Sequence, residues 1–441
     1  MNLVILTKEL DNGKNFNTVE RLEKENTKLG GKTYIVNLEG AYVSKKDGVD
    51  LIHNIDDDKG FKIHKSDTIV TSRASITSKD SYLDLLSQIE QLSIQCVNSR
   101  ETTEICTDKY RTFLTLKSAE IEQPKTVLIS VGKDKEINYA EKAFEKLETK
   151  FPVILKTLRG TQGVGVMMVE SLQSLEALVQ LLYKMDENVD LLLQEFIKSE
   201  FDVRVMVLND EIIGTMRRNV PKKDFRSNYS QGATTEKYEL SEKEKETVLN
   251  AAKAVGGYWT GVDFIPNNGN PLVIEVNSSA GTEGIEGTTG TNLNKVVVEY
   301  ISNKENWNLP KITIGVKEHF FFPLFGAKLD SKMDTGNSSQ ASVIHGDDIK
   351  LSDDNKKVTW KFRGKIYRAP VVEMKSIITG GNSHSEERPV ILLDVKFNDI
   401  IHKNIQFTLD NRIKKTDVLC NKEFMINNSL IIDPELKYTL S

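Results

Sequence analysis

Three oxygen-bearing side chains with the spacing of a metal site lie near residue 270. Asp263 falls in the predicted strand GVDFIP, and Glu275 and Asn277 fall in the next one, PLVIEVN. The intervening NNGN predicts a hairpin, and strand alternation puts residues 275 and 277 on one face, with Asp263 opposite them. Such oxygens suit Mg²⁺ that bridges nucleotide phosphates. A solvated charged face is the alternative, but the alternating residues are typical of a core: Val262, Phe264, Ile274 and Val276.

A lysine and a glycine-rich segment follow the predicted strand FPVILK. Lys156 closes that strand, where its ammonium group can reach nucleotide phosphates. Gly160, Gly163 and Gly165 come next, in RGTQGVGV, and let backbone N–H groups approach phosphate oxygens without obstruction from a Cβ atom. A surface lysine and a glycine-rich hairpin without a ligand are the alternatives when each feature is taken alone.

The predicted strand LLLQEFI supplies a third part of a nucleotide site. Gln194 and Glu195 lie at its end and lead into a hinge-like segment. Backbone groups in such a position are suited to hydrogen bonding with the edge of adenine.

Asp334, Thr335 and Gly336 form a separate candidate site. In an aspartic protease, a turn of this kind presents one carboxylate, and a second copy beside it allows the pair to share a proton and activate water. A single DTG triplet is a weak motif, and an ordinary turn is the alternative.

The elements that carry these residues divide the chain into three parts. Strand and helix patterns alternate over residues 1 to about 100, which predicts a small parallel-sheet domain. A helix is predicted from Thr107, ended by Pro124, and further strands and a helix to about Met185 follow. After the linker-like segment NKENWNLP, short β-like runs predict a separate, mostly β domain from about residue 311.

Bulk composition excludes several classes of protein. The chain has 441 residues, of which 39% are hydrophobic and 28% charged, with a net charge of -5, so a multidomain globular protein is expected. The basic residues form no stripe for nucleic acid, and no apolar run is long enough to span a membrane. Three scattered cysteines indicate a reducing compartment, so we expect a cytoplasmic protein.

Taken in order, the motifs of residues 1–305 resemble the RimK family of ATP-grasp ligases, which attach glutamate to a protein C-terminus. The matching segments are TDKYRTFL, FPVILKTLRGTQGVGV, LLLQEFI, DVRVMV, MRRNV, DFRSNYSQGA, GVDFI and VIEVNSSAGTEGIEGTTG. One departure follows FRSN, where this chain reads YSQGA instead of the usual His and paired glycines. The loop near the acceptor is therefore expected to have an altered specificity.

The resemblance implies a role for each matching residue. Lys109 and Lys156 would hold nucleotide phosphates, and the segment from Glu195 to Asp202 would line the adenosine pocket. Asp263, Glu275 and Asn277 would bind Mg²⁺, or Mn²⁺ in its place. The remaining implied residues fall into two groups: Gly163, Glu195, Phe196, Ile197, Asp202 and Arg226 at the ATP, and Arg204, Arg217, Arg218 and Asn228 around the acyl phosphate and the substrate carboxylates.

Residues 311–441 resemble the retropepsin-like domain that accompanies RimK-type ligases. The matching segments are the DTG triplet, NSHSEERPVILLDVKF, IQFTLDNR and LIIDPELKYTL, and one departure is VLCNKEF, where a glycine is expected after the paired apolar residues. Because the chain has one DTG, a retropepsin mechanism would need two chains, each providing one Asp334, which implies a homodimer. A catalytically silent binding domain is the alternative.

We therefore expect an α/β protein with a pre-ATP-grasp domain (1–104) and an ATP-grasp domain (105–305), followed by a mostly β retropepsin-like domain (311–441). The expected activity is ATP- and Mg²⁺-dependent amide formation through an acyl phosphate, adding glutamate or a similar amino acid to a peptide or protein C-terminus, with a peptidase that could trim the product. The alternatives are a small-molecule ligase with a docking domain and a nucleotide-gated hydrolase of peptide tails.

Overall fold

The computed structural model describes residues 1–8, 16–73, 80–130, 138–159, 165–221, 234–267, 269–307, 312–336, 341–378, 385–397, 400–411, 416–428 and 430–439. The chain forms two compact units, Met1–Asn308 and Leu309–Ser441. In the described part of the chain, no helix is both long and apolar enough to cross a membrane.

The first unit begins with a parallel α/β layer. Its sheet has the strand order β2-β1-β6-β7, and one helix covers each face. The run NLVILT predicts a strand buried on both sides, as β1 is, because Leu3 and Ile5 pack beneath α1 while Val4 and Leu6 pack beneath α2. The elements are β1 (Asn2–Thr7), α1 (Phe16–Lys28), β2 (Lys32–Asn37), β3 (Tyr42–Lys46), β4 (Val49–His53), β5 (Phe61–Lys62), β6 (Thr68–Ser72), α2 (Asp80–Gln91) and β7 (Gln95–Val97).

Two antiparallel sheets with flanking helices complete the first unit. The four-stranded sheet has the order β10-β9-β11-β8, and the five-stranded sheet has the order β14-β13-β12-β15-β16. The elements are α3 (Arg100–Thr107), α4 (Lys109–Ser118), β8 (Thr126–Ile129), α5 (Tyr139–Leu147), β9 (Val153–Thr157), β10 (Val166–Val169), α6 (Leu172–Met185), β11 (Leu191–Glu195), β12 (Phe201–Leu208), β13 (Glu211–Asn219), β14 (Thr235–Glu236), α7 (Glu242–Ala254), β15 (Trp259–Ile265), β16 (Leu272–Asn277), α8 (Glu283–Thr289), α9 (Leu293–Ser302) and a 3₁₀ turn (Lys304–Asn306).

The prediction of one helix from Thr107 to Pro124 was wrong. Thr107 is instead the last residue of α3, which the sequence did not predict, and α4 is a separate helix. The two meet at Asp108, whose carboxylate accepts hydrogen bonds from the backbone N–H groups of Tyr110 and Arg111, both at 2.9 Å. Because Asp108 is the N-cap, α4 begins at Lys109 and the chain changes direction there. The helix ends at Ser118, before the proline.

Strands make up nearly all of the described second unit. Its main sheet has the order β18-β19-β27-β20-β26-β25-β24, and large aromatic side chains, among them Phe320, Trp360 and Phe407, fill the core. The elements are β17 (Ile312–Gly315), β18 (Lys317–Phe322), β19 (Ala327–Met333), β20 (Ser342–His345), β21 (Asp347–Leu351), β22 (Lys357–Phe362), β23 (Lys365–Pro370), β24 (Glu373–Ile378), β25 (Ser385–Phe397), β26 (Ile400–Asp410), β27 (Val418–Cys420), α10 (Lys422–Asn427) and β28 (Leu430–Asp433).

Asn98 connects the parallel sheet to the five-stranded sheet. It follows β7 and is 2% exposed. Its amide nitrogen donates to the carbonyl oxygens of Trp259 and Ser278, both at 2.7 Å, and its amide oxygen accepts from the N–H groups of Tyr258 (2.6 Å) and Trp259 (2.9 Å). One side chain thus satisfies four buried backbone groups at the start of β15 and just after β16.

Replacing Asn98 with Ala is expected to lower the free energy of unfolding of the first unit by about 3 kcal/mol or more, because buried backbone groups lose their partners. Urea unfolding followed by tryptophan fluorescence measures this change. Asn303→Ala is the matched control, since exposed Asn303 accepts one backbone hydrogen bond at 3.1 Å, and its loss is expected to cost less than about 1 kcal/mol. Equal effects of the two changes would contradict the connecting role of Asn98.

Candidate active site

The five-stranded sheet has one apolar face and one charged face. Val203, Val205 and Phe264 belong to the apolar core on one side. In the strand register, Arg204 lies opposite Asp263, and Asp263 lies opposite Glu275, so these side chains share the other face. The predicted hairpin and the predicted opposition of Asp263 and Glu275 are thus confirmed.

A bulge in this hairpin corrects one part of the core prediction. The register shifts between Asp263 and Phe264, so that Phe264 pairs with Val273 instead of Ile274. Val273 is therefore the fully buried residue, while Ile274, which we expected in the core, is only half-buried. The bulge is one extra residue in β16 directly beside Glu275, where it changes the direction of the strand.

Four alternating charges form a buried network on the charged face. The Arg204 guanidinium donates from Nε and Nη2 to the two oxygens of Asp263 at 2.7 and 2.6 Å. Arg218 donates in the same way to Asp202 at 2.7 and 2.6 Å, and its Nη2 also reaches Asp263 at 3.0 Å. Bidentate pairs of this kind fix both orientation and spacing. The network therefore holds strands β12, β13 and β15 together through their side chains.

The network determines the charge of Asp263, which is 1% exposed. Burial alone would raise the pKa of its carboxyl group, but the charges and hydrogen bonds of Arg204 and Arg218 outweigh burial and hold that pKa below its usual range. The two carboxylates likewise raise the pKa of Arg218 against the effect of burial. Asp263 is thus kept as an anion, which is the form that binds a metal ion.

The predicted Mg²⁺ ligands fit a hard cation that also binds phosphate. The described residues contain no cluster of three or more His, Cys, Asp or Glu side chains that could hold a metal ion. The candidate set has only two carboxylates, and its third member is the amide of Asn277, whose buried Nδ2 has no hydrogen-bond partner in the described part of the chain. Mg²⁺ is commonly bound by one or two carboxylates together with substrate phosphates and water.

Two lysines contribute positive charge beside these ligands. Lys156 ends β9, and its Nζ donates to Oε1 of Gln194 on the neighbouring strand β11 at 2.6 Å. Burial lowers the pKa of Lys156 to about 8, and the charge of Lys109 lowers it further, whereas the charge of Glu275 opposes the shift. Burial also lowers the pKa of Lys109, again against the charge of Glu275. One carboxylate therefore acts on both lysines.

The described ends of the glycine-rich segment lie beside Lys156. The N–H group of Thr157 donates to the carbonyl oxygen of Gly165 at 3.0 Å. Gly165 has φ +76°, and a Cβ atom there would lie 2.3 Å from Oγ1 of Thr157, so this position requires glycine. Four residues of the predicted site lie outside the described residues: Gly160, Gly163, Arg226 and Asn228.

The structure separates some predicted site residues from the charged face. Arg217 lies opposite Val203 in the register and so faces the other side of the sheet, where it pairs with Glu236 at 2.8 Å and stacks over Phe201. Arg204 and Arg218 are brought together, but Arg217 is not. Asp202 holds Arg218.

The carboxylate of Glu195 lies 3.4 Å from both the Lys125 N–H and the Thr149 hydroxyl, and Phe196 and Ile197 are half-buried just after β11.

Sequence reasoning missed the side-chain role of Gln194 and the pairing inside the charged network. Gln194 was expected to use its backbone, yet its side chain accepts from Lys156 and donates to Thr126 at 2.9 Å. The alternation of Asp202 and Arg204 on one strand was a usable signal for a charged face. The partners of each charge depend on strand register, which the sequence does not reveal.

Comparison with known proteins gives the class of the first unit. A profile of the RimK-like ATP-grasp domain matches residues 106–301. The probable alpha-L-glutamate ligase of Coxiella burnetii (strain Dugway 5J108-111) is 31% identical over 287 residues, which cover 64% of this chain and 91% of that protein. With Lys156, Asp263 and Glu275 gathered on its sheets, the first unit is an ATP-grasp enzyme.

Two solved structures share this fold at low sequence identity. The macrocyclase MdnC bound with precursor peptide MdnA, from Microcystis aeruginosa MRC, is 16% identical with a TM-score of 0.51, covering 69% of this chain and 100% of that one. The Chryseobacterium gregarium RiPP-associated ATP-grasp ligase, in complex with ADP and a leader and core peptide, is 13% identical with a TM-score of 0.53, covering 71% and 100%. These structures establish the fold alone.

The chain belongs to the RimK-like ATP-grasp ligase family. It is therefore an enzyme, and its cofactors are ATP and Mg²⁺, as in other ATP-grasp ligases.

The lowered pKa of Lys156 predicts how ATP affinity depends on pH. Below about pH 8 the ammonium group is protonated in the free protein, so this residue adds no pH dependence there. Above about pH 8 it is neutral, and phosphate must restore its proton on binding, so the Kd for ATP is expected to rise by up to about tenfold per pH unit. Calorimetry between pH 7 and 9.5, in buffers of different ionisation heat, measures both the Kd and the proton uptake.

Lys156→Met is expected to bind ATP weakly and with a shallower pH dependence, because Lys109, whose pKa is also lowered, remains. Lys184→Met, which changes an exposed lysine of α6, is the matched control and should behave as the unchanged protein does. A Kd that stays constant from pH 8 to 9.5 in the unchanged protein would overturn the assignment of Lys156 to the phosphates.

Proposed function

We propose that the first unit joins an amino acid, glutamate or one of similar charge, to the C-terminal carboxylate of a peptide or protein. The unit comprises a pre-ATP-grasp domain (1–104) and the ligase domain (105–305) in this proposal. ATP activates the acceptor carboxylate as an acyl phosphate, and the amine of the amino acid then displaces phosphate to form an amide.

The observation that carries this proposal is the position of Glu275 between the candidate metal ligand Asp263 and two lysines. Glu275 lies opposite Asp263 in the sheet, and its charge also acts on both Lys109 and Lys156. Phosphate-binding cations and candidate metal ligands therefore adjoin one another. Phosphoryl transfer needs this combination, because its catalysis consists mostly of positioning and charge neutralisation.

Each step of the proposed reaction uses groups already described. An oxygen of the acceptor carboxylate attacks the γ-phosphorus, the bond to the bridging oxygen breaks, and ADP leaves. The amine nitrogen then attacks the acyl carbon, phosphate leaves with the bonding electron pair, and the nitrogen loses a proton. Lys109 and Lys156 neutralise phosphate charge, and Arg204 and Arg218 hold Asp263 ionised. Asp263, Glu275 and Asn277 would hold Mg²⁺, which when bound would supply further positive charge for the transferred group.

The relatives support a peptide acceptor and an acidic amino acid. The Coxiella burnetii protein is described as a probable alpha-L-glutamate ligase, and the macrocyclase and the RiPP-associated ligase described above are both in complex with peptides. The direct test is mass spectrometry of the protein with Mg²⁺-ATP, glutamate and a glutamate-ended peptide, with ADP release followed in parallel. Stepwise mass gains coupled to ADP are expected, whereas turnover only with small acids would replace the proposal by a small-molecule ligase.

Glu275→Gln is expected to lower kcat in this assay by about 10²-fold or more, because it removes a charge beside the transferred phosphate without changing shape. Asp263→Ala is less informative, since it would leave Arg204 and Arg218 without a carboxylate they share. Glu211→Gln, at an exposed position of β13, is the matched control and should keep full activity. Turnover retained by Glu275→Gln would refute the metal assignment.

We further propose that the second unit (311–441) is an aspartic peptidase-like domain that hydrolyses such peptide tails. Asp334 directly follows β19, and its N–H group donates to the carbonyl oxygen of Cys420 at 3.0 Å, where β19 runs parallel to β27. Its Oδ1 accepts from the Gly336 N–H at 3.1 Å, which orients the carboxylate. This anchored turn favours the peptidase over a plain docking domain.

One Asp334 cannot activate water alone, so the proposal requires a homodimer that brings two of them together. The peptidase rate per chain is then expected to fall on dilution below the dimer Kd, while the ligase rate does not. Sedimentation velocity over the same concentrations tests whether the loss coincides with dissociation.

Asp334→Asn is expected to abolish cleavage of a glutamate-tailed peptide and to leave ligation unchanged, because an amide cannot share the proton that the mechanism needs. Asp353→Asn, which changes an exposed residue of the same unit, is the matched control. Both activities are read by mass spectrometry of the same peptide. Cleavage that survives Asp334→Asn would exclude the aspartyl mechanism.

A further inference from the structure

Arg73 is a buried cation at the edge of the N-terminal parallel sheet. It directly follows β6 and is 3% exposed. Its guanidinium lies 4.4 Å from the centre of the Trp259 ring, and its Nη2 donates to the carbonyl oxygen of Ala280 at 2.5 Å. The side chain therefore reaches from the first sheet to the five-stranded sheet.

Arg73 has no carboxylate within ion-pair distance among the described residues. Its Nε is buried without a hydrogen-bond partner there, as are the hydroxyl groups of Thr71 and Ser72 just before it. Burial lowers the pKa of Arg73 to about 10, and only the more distant charge of Glu283 opposes this shift. A cation in this state is destabilising unless an anion joins it.

Arg218 is the informative comparison, because it is buried to the same extent, 3% exposed. That residue is held by two carboxylates, Asp202 and Asp263, at 2.6–3.0 Å. Among the described residues, two carboxylates pair with Arg218, but none lies within ion-pair distance of Arg73. The charge of Glu283 acts on Arg73 only from a greater distance, so the guanidinium can still pair with an anion from a substrate.

Arg73 lies at the far end of the face that carries the candidate metal ligands. Trp259, Gly261 and Asp263 alternate along β15 and so point to the same side, which puts Trp259 about 13 Å along the strand from Asp263. Gly261 pairs with Asn277, and a Cβ atom on Gly261 would lie 2.5 Å from the Cβ of Ala280. The absence of a side chain therefore lets the Ala280 segment, with Arg73 bound to it, approach this face closely.

We propose that Arg73 binds a carboxylate of the amino acid that supplies the amine. This inference rests on the proposed ligase function and names a residue for its second substrate. The acceptor carboxylate must react next to the lysines and the metal ligands. A carboxylate of the incoming amino acid does not react, and a cation remote from Asp263 would hold it away from the acyl phosphate while the amine points towards it. Thr71 lies two residues before Arg73 and so on the same side of the strand, and its unpartnered hydroxyl group is available as a further donor.

The test compares glutamate with its two single amides, glutamine and glutamic acid α-amide, as substrates for the unchanged protein and for Arg73→Gln. The unchanged protein should prefer glutamate to the amide that lacks the bound carboxylate by about 10²-fold in kcat/KM, because a buried cation without its anion is costly. Arg73→Gln should lose this preference through a higher KM for glutamate, with the KM for ATP unchanged. A merely structural role would lower the rates with all three amino acids by the same factor and would overturn the proposal.

Two further variants keep the test decisive. Arg73→Lys retains the charge and should retain part of the preference, and it replaces Arg73→Gln in the comparison if that variant does not fold. Arg100→Gln removes a partly exposed arginine that pairs with Glu104, and it should leave the preference intact. If Arg73→Gln instead changes the preference between glutamate-ended and glutamine-ended acceptors, the carboxylate belongs to the acceptor and the assignment is wrong.

A separate binding experiment distinguishes failure of this inference from failure of the ligase proposal. If the unchanged protein forms no amide with any amino acid, the proposed function fails on its own. Glutamate should still raise the Tm of the unchanged protein with Mg²⁺ and a non-hydrolysable ATP analogue, and should not raise that of Arg73→Gln. An equal rise in both, or in neither, would overturn the role of Arg73.

Discussion

The charged face of the first unit depends on the ion pairs that the buried Asp263 carboxylate makes with Arg204 and Arg218. It accepts hydrogen bonds from Arg204 on β12 and Arg218 on β13, while its own strand β15 pairs with the strand of Glu275. The two guanidiniums leave Asp263 ionised despite its burial, and a carboxylate has about four lone-pair positions, so it can accept these donors and still bind a cation. The contacts that stabilise the sheet therefore also keep one of the proposed metal ligands ionised.

The buried cations of this unit fall into two kinds. Arg218 is compensated by carboxylates of the fold, so it belongs to the scaffold. Among the described residues, Lys156 has only the neutral oxygen of Gln194 within hydrogen-bonding distance, and Arg73 has only a backbone carbonyl. An unpaired buried cation lowers the free energy of unfolding, and the binding of an anionic substrate raises it again. This is the usual compromise between stability and function. In the proposals above, these two unpaired cations are the sites for a phosphate and a carboxylate group.

Local patterns predicted the parts of the site that depend on local structure. The NNGN turn and the alternation around Asp263 and Glu275 were sufficient for the hairpin and its charged face, and the apolar run NLVILT was sufficient for a buried strand. Arg217 and Arg218 could not be told apart, because a shift of one residue in register exchanges the two faces of a strand. The bulge that buries Val273 instead of Ile274 depends on strand pairing. The break at Asp108 depends on helix capping. Hydrophobic periodicity predicts neither feature.

The two candidate sites use carboxylates in opposite electrostatic settings. Asp263 must remain an anion, and two guanidiniums ensure this. In the proposed hydrolase, two Asp334 carboxyl groups would share one proton, an arrangement that a neighbouring cation would oppose. Among the described residues, no cation lies within ion-pair distance of Asp334, and its Oδ1 accepts only the neutral Gly336 N–H. Asp263 therefore has two cationic partners, whereas the Asp334 carboxylate has a neutral donor among the described residues.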